Sequence, residues 1–315
     1  MGNSREKRFP LRVRIVIATA LALIGICGLS ATASATLPGK NGPLLISTFI
    51  KGGDGNYSTY VYTETTAGRS TMLLGGADSF SDPAVSPNGK SIVYSRYPGY
   101  QLWLGPFGDP EKAKAITPAI EDTNFGEAVF SPDGKSIYHS AKIYSDSGTS
   151  WTIKRYSIKT KKSKEYKLKP FEDSGLSDIS PNGRLVSFNR GTDEDKSRTW
   201  FLDTKTGKSR AFKSKAPAQN LNFSPDGKSV TYAAPVKEGF EIFTSRLDGK
   251  GVKRLTRGAL VNYSPVYSPD GRQIAFTQGA DATKKIGIVT LKTGKIKYIA
   301  APGDYTEVEQ WLARR

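Results

Sequence analysis

Short stretches in which apolar and polar residues alternate recur along the chain, and most of them follow a turn that contains glycine. The stretches SIVY at residues 91–94 and QIAF at residues 273–276 are typical. Alternation with a period of two is the pattern of a β-strand that buries one face and exposes the other. The pattern therefore predicts a chain built of short, half-buried strands.

A turn motif, Ser-Pro-Asp/Asn-Gly, precedes five of these strands at nearly constant spacing. Its glycines follow one another at intervals of 44 to 49 residues and are Gly89, Gly134, Gly183, Gly227 and Gly271. Proline sets φ for the first turn position, Asp or Asn suits the second, and glycine takes the left-handed position that follows. A sixth, degenerate copy is present at Asn41 and Gly42. Self-similarity at this period indicates a repeat architecture.

Each repeat carries signals for four short strands. A third strand follows the alternating stretch, as at residues 151–154, 199–202 and 241–244, and then comes a second tight turn such as Thr206-Gly207. A short fourth strand ends the repeat. Four antiparallel strands in about 44 residues are one blade of a β-propeller.

The two ends of the chain supply one blade between them. The segment after residue 36 offers second, third and fourth strands, whereas the C-terminal segment offers a first strand. Trp311 lies 44 residues after Tyr267, which lies 44 residues after Phe223. We therefore predict an all-β fold, a six-bladed β-propeller of four-stranded antiparallel blades. In this fold the C-terminal strand completes the N-terminal blade and leaves no open sheet edge.

Residues 1–35 have a different character. Basic residues between positions 5 and 14 precede an uncharged apolar run at residues 15–29 and the small residues Ala33-Ser34-Ala35. This order predicts a secretory signal peptide cleaved before Thr36. An uncleaved membrane anchor is the alternative, for which the apolar run is short. We therefore predict a signal peptide at 1–35, a propeller at 36–315, and a periplasmic or secreted protein without a membrane span after cleavage.

The residues that usually carry catalysis are scarce. The only cysteine, Cys27, lies in the predicted signal peptide, and the only histidine, His139, lies in the strand after the second copy of the motif. A lone histidine on a strand is more often a packed residue than a ligand, and it provides neither a histidine metal cluster nor a Ser-His-Asp assembly. The nucleophile motif Gly-x-Ser-x-Gly is absent from the sequence. We therefore predict no catalytic residues, no metal and no cofactor, with a site made of carboxylates alone as the alternative.

The Ser-Pro-Asp-Gly-Lys motifs at 131–135 and 224–228, each followed by a strand similar to Ile-Ala-Phe, resemble those of the TolB-like family of six-bladed propellers. The resemblance covers residues 36–315 and implies a periplasmic or secreted scaffold that binds across the mouth of the ring. The Tol-system protein carries an extra α/β domain before its propeller, for which this sequence leaves no room, so we expect a role outside the Tol machinery. Related propellers precede hydrolase domains in prolyl-oligopeptidase-like peptidases, and sugar lyases with similar repeats rely on a histidine-rich metal site.

The formal net charge is +17, which raises nucleic acid, anionic lipid and acidic polymer as partners. Lysines that fill exposed turns are the alternative explanation. The predicted export and the absence of a nucleic-acid motif argue against nucleic acid. The distribution of charge is more informative than its sum.

In a propeller the connections between blades lie on one face, called the mouth below, and the turns between first and second strands lie on the other, the underside. Eleven carboxylates fall in the predicted connections, against four cations. The carboxylates are Asp78, Asp82, Glu121, Asp122, Glu127, Glu172, Asp173, Asp178, Asp304, Glu307 and Glu309, and the cations are Lys169, Lys213, Lys215 and Arg257. The predicted underside carries Lys90, Lys135, Arg184, Lys228, Arg272, Lys159, Lys161, Lys162, Lys208, Lys250 and Lys295, partly offset by Asp133, Asp226 and Asp270. We therefore predict an acidic mouth and a basic underside.

The leading hypothesis is a non-enzymatic, monomeric scaffold that binds an envelope or secreted protein or peptide at the mouth. The predicted partner-binding residues are Asp82, Glu127, Asp178, Asp304, Glu307 and Glu309. One alternative is a propeller enzyme or small-ligand binder that uses mouth carboxylates, which a close carboxylate pair would favour. Another is an envelope adhesion module that binds anionic cell-wall polymer or lipid through the basic face. An aromatic-rich mouth would favour the protein binder.

Overall fold

The computed structural model describes residues 36–51, 57–76, 80–97, 100–146, 148–166, 168, 175–191, 197–258, 260–279, 284–303 and 305–314. The predicted signal peptide lies outside these ranges. Within them the chain forms strands β1 to β24 and one short 3-10 helix, Pro110–Lys112. No helix in the described ranges has the length and the apolar character needed to cross a membrane.

The strands form six four-stranded antiparallel sheets, the blades of a propeller. From its innermost to its outermost strand, blade 1 contains β24 (Tyr305–Arg314), β1 (Lys40–Lys51), β2 (Tyr57–Glu64) and β3 (Ser70–Gly76). Blade 2 contains β4 (Phe80–Val85), β5 (Ser91–Arg96), β6 (Gln101–Pro106) and β7 (Lys114–Ala115). Blade 3 contains β8 (Thr123–Phe130), β9 (Ser136–Ser145), β10 (Gly148–Ser157) and β11 (Ser163–Tyr166).

The remaining blades have the same order. Blade 4 contains β12 (Leu176–Ile179), β13 (Leu185–Arg190), β14 (Arg198–Asp203) and β15 (Ser209–Ala211). Blade 5 contains β16 (Gln219–Phe223), β17 (Ser229–Val236), β18 (Gly239–Arg246) and β19 (Lys253–Arg254). Blade 6 contains β20 (Asn262–Tyr267), β21 (Gln273–Gln278), β22 (Lys285–Thr290) and β23 (Ile296–Ala300).

Closure of the ring joins the two ends of the chain within blade 1. β24 pairs with β1 in antiparallel register, with Leu44 opposite Trp311 and Phe49 opposite Tyr305. The Trp311 side chain is 1% exposed, and its Nε1 donates a hydrogen bond to the Gly42 carbonyl oxygen (3.0 Å). The structure therefore confirms the predicted six-bladed fold and the role of its C-terminal strand.

The hydrophobic core is divided among the interfaces between blades. The described residues form six clusters of buried apolar side chains, each drawn from two neighbouring blades. The cluster between blades 3 and 4, for example, combines Val129 and Tyr138 with Ile179, Val186 and Phe188. Burial of apolar surface is the main stabilising term in folding. Each blade is therefore stabilised from both sides, and the closed ring leaves no end blade with a bare face.

The motif turns share one hydrogen-bond pattern on the underside, which blade 5 illustrates. Ser224 Oγ donates to Asp226 Oδ1 (2.6 Å), and the same oxygen accepts from the Lys228 backbone N–H (3.0 Å). Gly227 has a φ of +67°, as its place in the motif predicts. A Cβ on Gly227 would lie 3.6 Å from Pro181 Cδ in the turn of blade 4. The same contact recurs at Gly134, Gly183 and Gly271, so the five motif turns of blades 2 to 6 form a continuous arc on the underside.

Candidate functional site

The innermost strand of every blade contains a bulge, at which its pairing shifts register. In four blades the bulged residue has a φ between +49° and +53° although it is not glycine, and these residues are Asp82, Glu127, Asn220 and Ser264. The strand pairing shifts register at each of them. A left-handed conformation costs a non-glycine residue about 1–2 kcal/mol, and a bulge re-aims the side chain that it carries. Strain of this kind is concentrated at functional sites in many proteins.

The predicted site carboxylates lie in innermost strands and not in loops. Asp82, Glu127 and Asp178 belong to β4, β8 and β12, whereas Glu307 and Glu309 belong to β24. Asp304 lies outside the described residues. The innermost strands begin earlier than the sequence predicts, because the bulges allow pairing to continue toward the mouth.

Glu127 and Asp178 connect neighbouring blades. Glu127 Oε2 accepts a hydrogen bond from the Leu176 backbone N–H (2.9 Å), which joins blade 3 to blade 4. Asp178 Oδ2 accepts hydrogen bonds from the Phe223 backbone N–H (2.7 Å) and from Asn222 Nδ2 (2.8 Å), which joins blade 4 to blade 5. Both carboxylates are buried. Their contacts stabilise the ring, and their burial keeps both groups away from a partner in solution at the mouth.

The contact made by Asp178 has counterparts between other blades. Asn222 Oδ1 accepts a hydrogen bond from the Tyr267 backbone N–H of blade 6 (2.7 Å). Gln310 Oε1 accepts one from the Val85 backbone N–H of blade 2 (2.9 Å). These residues occupy equivalent positions near the underside ends of innermost strands, so Asp178 lies far along its strand from the mouth.

Glu309 is buried as well, and its Oε1 accepts a hydrogen bond from Ser47 Oγ of β1. This contact joins the last strand of the chain to the first within blade 1. Like the carboxylates of Glu127 and Asp178, this group therefore stabilises the closed ring.

Asp82 and Glu307 are the two predicted site residues that the structure brings together at the mouth. Burial raises the pKa of Glu307 to about 7, Lys284 opposes the rise, and Asp82 adds to it. The Glu307 carboxyl group is surrounded by protein although part of the residue is exposed. Lys284 Nζ lies 4.6 Å from the ring centroid of Tyr305 and 5.3 Å from that of Tyr263. A carboxyl group that titrates near neutral pH beside a cation suits proton transfer or the binding of a polar group.

A group of exposed apolar side chains on the mouth, named the tyrosine rim, was not predicted. It consists of Tyr97, Tyr100, Ile120 and Tyr144 on blades 2 and 3, which are 50%, 40%, 48% and 39% exposed. The rings of Tyr97 and Tyr100 meet edge to face with centroids 5.4 Å apart. Each tyrosine lies at or next to the end of a strand, so the sequence pattern does not distinguish it from a buried strand position.

Backbone hydrogen bonds hold the tyrosine rim together across the two blades. The Phe125 backbone N–H donates to the Tyr100 carbonyl oxygen (2.8 Å), which joins β8 to the loop before β6. The Tyr144 backbone N–H donates to the Asp122 carbonyl oxygen (2.8 Å), and Tyr144 Oη accepts from Asn124 Nδ2 (3.3 Å). The backbone at Tyr100 and Tyr144 is therefore supported by neighbouring segments of blade 3.

The surface around the tyrosine rim is mainly acidic. Glu121, Asp122 and Asp146 are exposed beside it. Two cations lie nearby: Lys142, whose Nζ is 5.1 Å from the ring centroid of Tyr144 and 5.0 Å from that of Trp151, and the half-buried Arg96, whose guanidinium group is 4.8 Å from the ring centroid of Trp103. Aromatic faces next to carboxylates attract cationic groups. The rim therefore offers a surface suited to a segment with both basic and apolar side chains.

The underside carries a regular set of exposed cations. Each motif turn ends in an exposed cation, and these are Lys90, Lys135, Arg184, Lys228 and Arg272. The aspartates of these turns are bonded within them; hydrogen bonds from Ser224 and from the Lys228 backbone lower the pKa of Asp226. The further lysines predicted for this face are exposed and are Lys159, Lys161, Lys162, Lys208, Lys250 and Lys295.

His139 lies within blade 3 and not at the mouth. The side chain is 1% exposed, its Nδ1 lies 3.0 Å from the Ser140 carbonyl oxygen, and its ring meets that of Phe125 edge to face. Burial lowers its pKa to about 4, so the imidazole is neutral at ordinary pH. Among the described residues, no three histidine, aspartate or glutamate side chains are grouped as metal ligands would be.

No protein-family model matches the chain. An uncharacterised protein of Agrobacterium fabrum is 33% identical over 129 residues, which are 40% of this chain and 44% of that protein. Dipeptidyl-peptidase 5 of Porphyromonas gingivalis is 39% identical over 62 residues, which are 18% of this chain and 9% of that peptidase. The chain thus matches less than half the length of each of these relatives.

Solved structures share the fold at low sequence identity. TolB from Acinetobacter baumannii has a TM-score of 0.71 at 18% identity, over 99% of this chain and 74% of that one. A putative TolB from Agrobacterium tumefaciens has a TM-score of 0.62 at 15% identity, over 85% and 93% of the two chains. A puromycin-hydrolysing peptidase from Mycobacterium tuberculosis has a TM-score of 0.58 at 16% identity, over 90% and 50%. The protein is therefore a TolB-like six-bladed propeller in fold, and a fold also found in a peptidase does not by itself decide between scaffold and enzyme.

Proposed function

We propose that this protein is an exported, non-enzymatic propeller scaffold that binds a protein or peptide segment at its mouth. The tyrosine rim carries the proposal. Tyrosine is enriched at protein–protein interfaces and in their energetic centres, and contiguous exposed apolar surface on a soluble protein commonly marks an interaction site. The TolB-like fold is compatible with this role.

The partner segment is basic and carries apolar side chains. Its apolar groups lie on Tyr97, Tyr100 and Tyr144, and its cations lie near Glu121 and Asp122. Charges of opposite sign accelerate encounter, and the effect weakens with salt. Binding at the rim is therefore expected to weaken as ionic strength rises, although the aromatic contacts persist.

Site-specific photo-crosslinking tests the proposal with a matched pair of positions. Tyr144 and Tyr298 are 39% and 42% exposed, and the hydroxyl group of each accepts a hydrogen bond from a side-chain amide. Tyr144 lies on the mouth, whereas Tyr298 lies on the outermost strand of blade 6. A photoreactive phenylalanine analogue replaces one or the other in the full chain, produced in its native host and irradiated in intact cells.

We expect a discrete adduct from position 144 and none from position 298. The captured partner should bind the purified protein, and Tyr144→Ala should weaken this binding about tenfold or more, as for a central interface aromatic, whereas Tyr298→Ala should not. Equal adducts at both positions, or equal affinity of the two variants, would refute binding at the rim.

A second candidate, a small-ligand binder or enzyme, rests on the pair Asp82 and Glu307. The supporting observation is the Glu307 pKa of about 7, raised by burial and by Asp82. In this case Glu307→Gln abolishes ligand binding or turnover, while Tyr144→Ala leaves both intact. The reverse result would favour the scaffold.

A third candidate, an envelope adhesion module, rests on the exposed cations of the motif turns. Reversal of three of them, Lys135→Glu, Lys228→Glu and Arg272→Glu, should then abolish binding to vesicles rich in anionic phospholipid or to an anionic polymer. If this variant still binds the partner captured by crosslinking, that partner does not bind through the cations of the underside.

Export itself predicts that the mature chain begins at Thr36. Intact-mass analysis of protein recovered from the cell envelope or the medium measures this directly. A mass that retains residues 1–35 would instead support the membrane anchor.

A further inference from the structure

The first described residues lie at the underside end of the ring. Thr36 is 2% exposed, and its Oγ1 accepts a hydrogen bond from Asn222 Nδ2 of β16 (3.4 Å). Leu37 packs against the core cluster between blades 3 and 4, and the Gly39 backbone N–H donates to the Pro269 carbonyl oxygen in the turn of blade 6 (3.0 Å). Blades 3 and 4 lie opposite blades 6 and 1 in a ring of six. The segment therefore crosses the channel before β1 begins.

The carboxylate of Asp178 lies next to this segment and has only neutral donors. Its Oδ1 accepts from the Ile179 backbone N–H (2.7 Å), and its Oδ2 accepts from Asn222 Nδ2 and from the Phe223 backbone N–H. The side chain is fully buried. No lysine or arginine side chain within the described ranges pairs with it. A buried carboxylate without a cation is costly, so this site has the chemistry of an incomplete ion pair.

Asn222 brings the carboxylate and the terminal segment together. Its Nδ2 donates both to Asp178 Oδ2 and to Thr36 Oγ1, so the two oxygens are neighbours around one nitrogen atom. The backbone nitrogen of Thr36 is within the same residue as this hydroxyl group. A chain cut before Thr36 would therefore begin beside the pair formed by Asn222 and Asp178.

We propose that Asp178 and Asn222 form a binding site for an α-ammonium group, and that its occupant is the N-terminus of Thr36 created by removal of the signal peptide. Hydrolysis of the Ala35–Thr36 bond adds one water: the acyl carbon of Ala35 becomes a carboxylate, and the Thr36 nitrogen becomes an amine. This amine is protonated near neutral pH, since α-amino groups titrate at about pH 8. The inference rests on the proposed cleavage and not on binding at the mouth.

The ion pair couples removal of the signal peptide to the stability of the folded ring. In the uncut chain the Thr36 nitrogen is a neutral peptide N–H, and Asp178 is buried without a cation. In the mature chain the ammonium compensates the carboxylate, which lowers the cost of burying both. Because Thr36 is followed closely by β1, the paired strand of blade 1, the ring closes most stably after the signal peptide has been removed.

A cycle of four purified proteins tests this site. Two chains begin at Thr36 and differ only in the amine, which is free in one and enzymatically acetylated in the other; the same two forms are made with Asp178→Asn. Urea unfolding gives the equilibrium constant of each. With Asp178 present, acetylation is expected to raise the unfolding equilibrium constant about tenfold or more, whereas in the Asp178→Asn pair the change should be smaller than about twofold.

A second measurement does not depend on any variant and reports the amine directly. Labelled formaldehyde methylates amines reductively, and the rate at Thr36 is measured in the folded protein and in urea. Folding should slow methylation of Thr36 about tenfold or more beyond its effect on exposed lysines, because a paired, buried ammonium is protonated and inaccessible. If Asp178→Asn fails to fold, the free and acetylated forms of the native sequence still decide the matter. Equal stability of these two forms, or rapid methylation of Thr36, would overturn the proposal.

Discussion

The two faces of the propeller are built in different ways from the same repeat. On the underside, each motif turn repeats one hydrogen-bond network, and its left-handed residue is a glycine such as Gly134 or Gly227. Near the mouth, four bulged residues that are not glycine take the left-handed conformation, as with Asp82 and Ser264. The motif turns are therefore regular and free of this strain, whereas the bulges differ from blade to blade and retain it; on the underside Lys161, outside the motif turns, also has a positive φ of +55°.

The difference makes the mouth the better candidate for a binding face. A turn that is repeated for folding keeps its residues for local reasons, and its exposed cations then form a regular pattern. The mouth combines the tyrosine rim on blades 2 and 3 with the acidic pair Asp82 and Glu307 next to blade 1. Binding residues are commonly placed on variable segments supported by a rigid scaffold, which describes the mouth and not the underside.

The largest effect is expected from opening the ring, because both faces depend on it. Deletion of residues 306–315 removes most of β24 and with it Trp311, a fully buried tryptophan worth about 3–5 kcal/mol. We expect the midpoint of thermal unfolding to fall by about 10 °C or more. Circular dichroism measures the change, with Trp151→Ala, at a partly exposed tryptophan, as the control with the smaller loss. A truncated protein that melts like the parent would show that the ring is not closed by this strand.

The two faces also differ in how far they can be predicted from the sequence. The underside was predictable because Ser224, Asp226 and Gly227 act on one another within a few residues, and five copies repeat that local chemistry. The burial of Asp178 was not predictable, because it depends on Asn222 and Phe223 in the next blade. The equivalent positions in blades 3 and 6 hold Val129 and Val266, so no rule of the repeat marks the polar ones.

The next effect tests whether the turns of the underside are equivalent. Gly134→Ala and Gly227→Ala each force an alanine into a φ near +67°, which costs about 1–2 kcal/mol. A Cβ has room at both sites, 3.7 Å and 3.6 Å from the facing proline, so the two losses in the free energy of unfolding should be equal. Gly108→Ala is the matched control, because a Cβ at Gly108 meets nothing within 4 Å and the residue has no positive φ. Unequal losses measured by urea unfolding would break the regularity ascribed to this face.

Glu307 at the mouth and Asp226 in a motif turn of the underside should contribute to pH dependence in opposite directions. Glu307 binds its proton more tightly in the folded chain, with a pKa of about 7, so stability falls as pH rises from about 4 to 7. Asp226 has a lowered pKa, so its contribution is lost as pH falls below the usual range of an aspartate. The charged and titratable groups that face Glu307 are Lys284, Asp82 and Tyr263.

The measurement is the free energy of unfolding between pH 4 and pH 8 for the parent and for Glu307→Gln. The variant should show a weaker decline with rising pH than the parent over this window, because the buried Asp178, whose pKa is also raised, is unchanged. Parallel profiles of parent and variant would mean that Glu307 does not hold a proton at neutral pH. The pair Asp82 and Glu307 would then have no carboxyl group that titrates near neutral pH.

The smallest effect has the opposite sign and tests the strain at the mouth. Ser264 has a φ of +50°, and its buried Oγ has no hydrogen-bond partner among the described residues. Ser264→Gly relieves the left-handed strain, about 1–2 kcal/mol, and removes an unsatisfied hydroxyl group, against a glycine entropy cost of about 0.5–1 kcal/mol. We therefore expect a gain of about 0.5–1 kcal/mol in the free energy of unfolding, where Gly227→Ala on the underside gives a loss. A loss of stability in both Ser264→Gly and Gly227→Ala would remove the contrast between strained bulges near the mouth and relaxed motif turns on the underside. Ser264 would then be a residue that the fold itself requires.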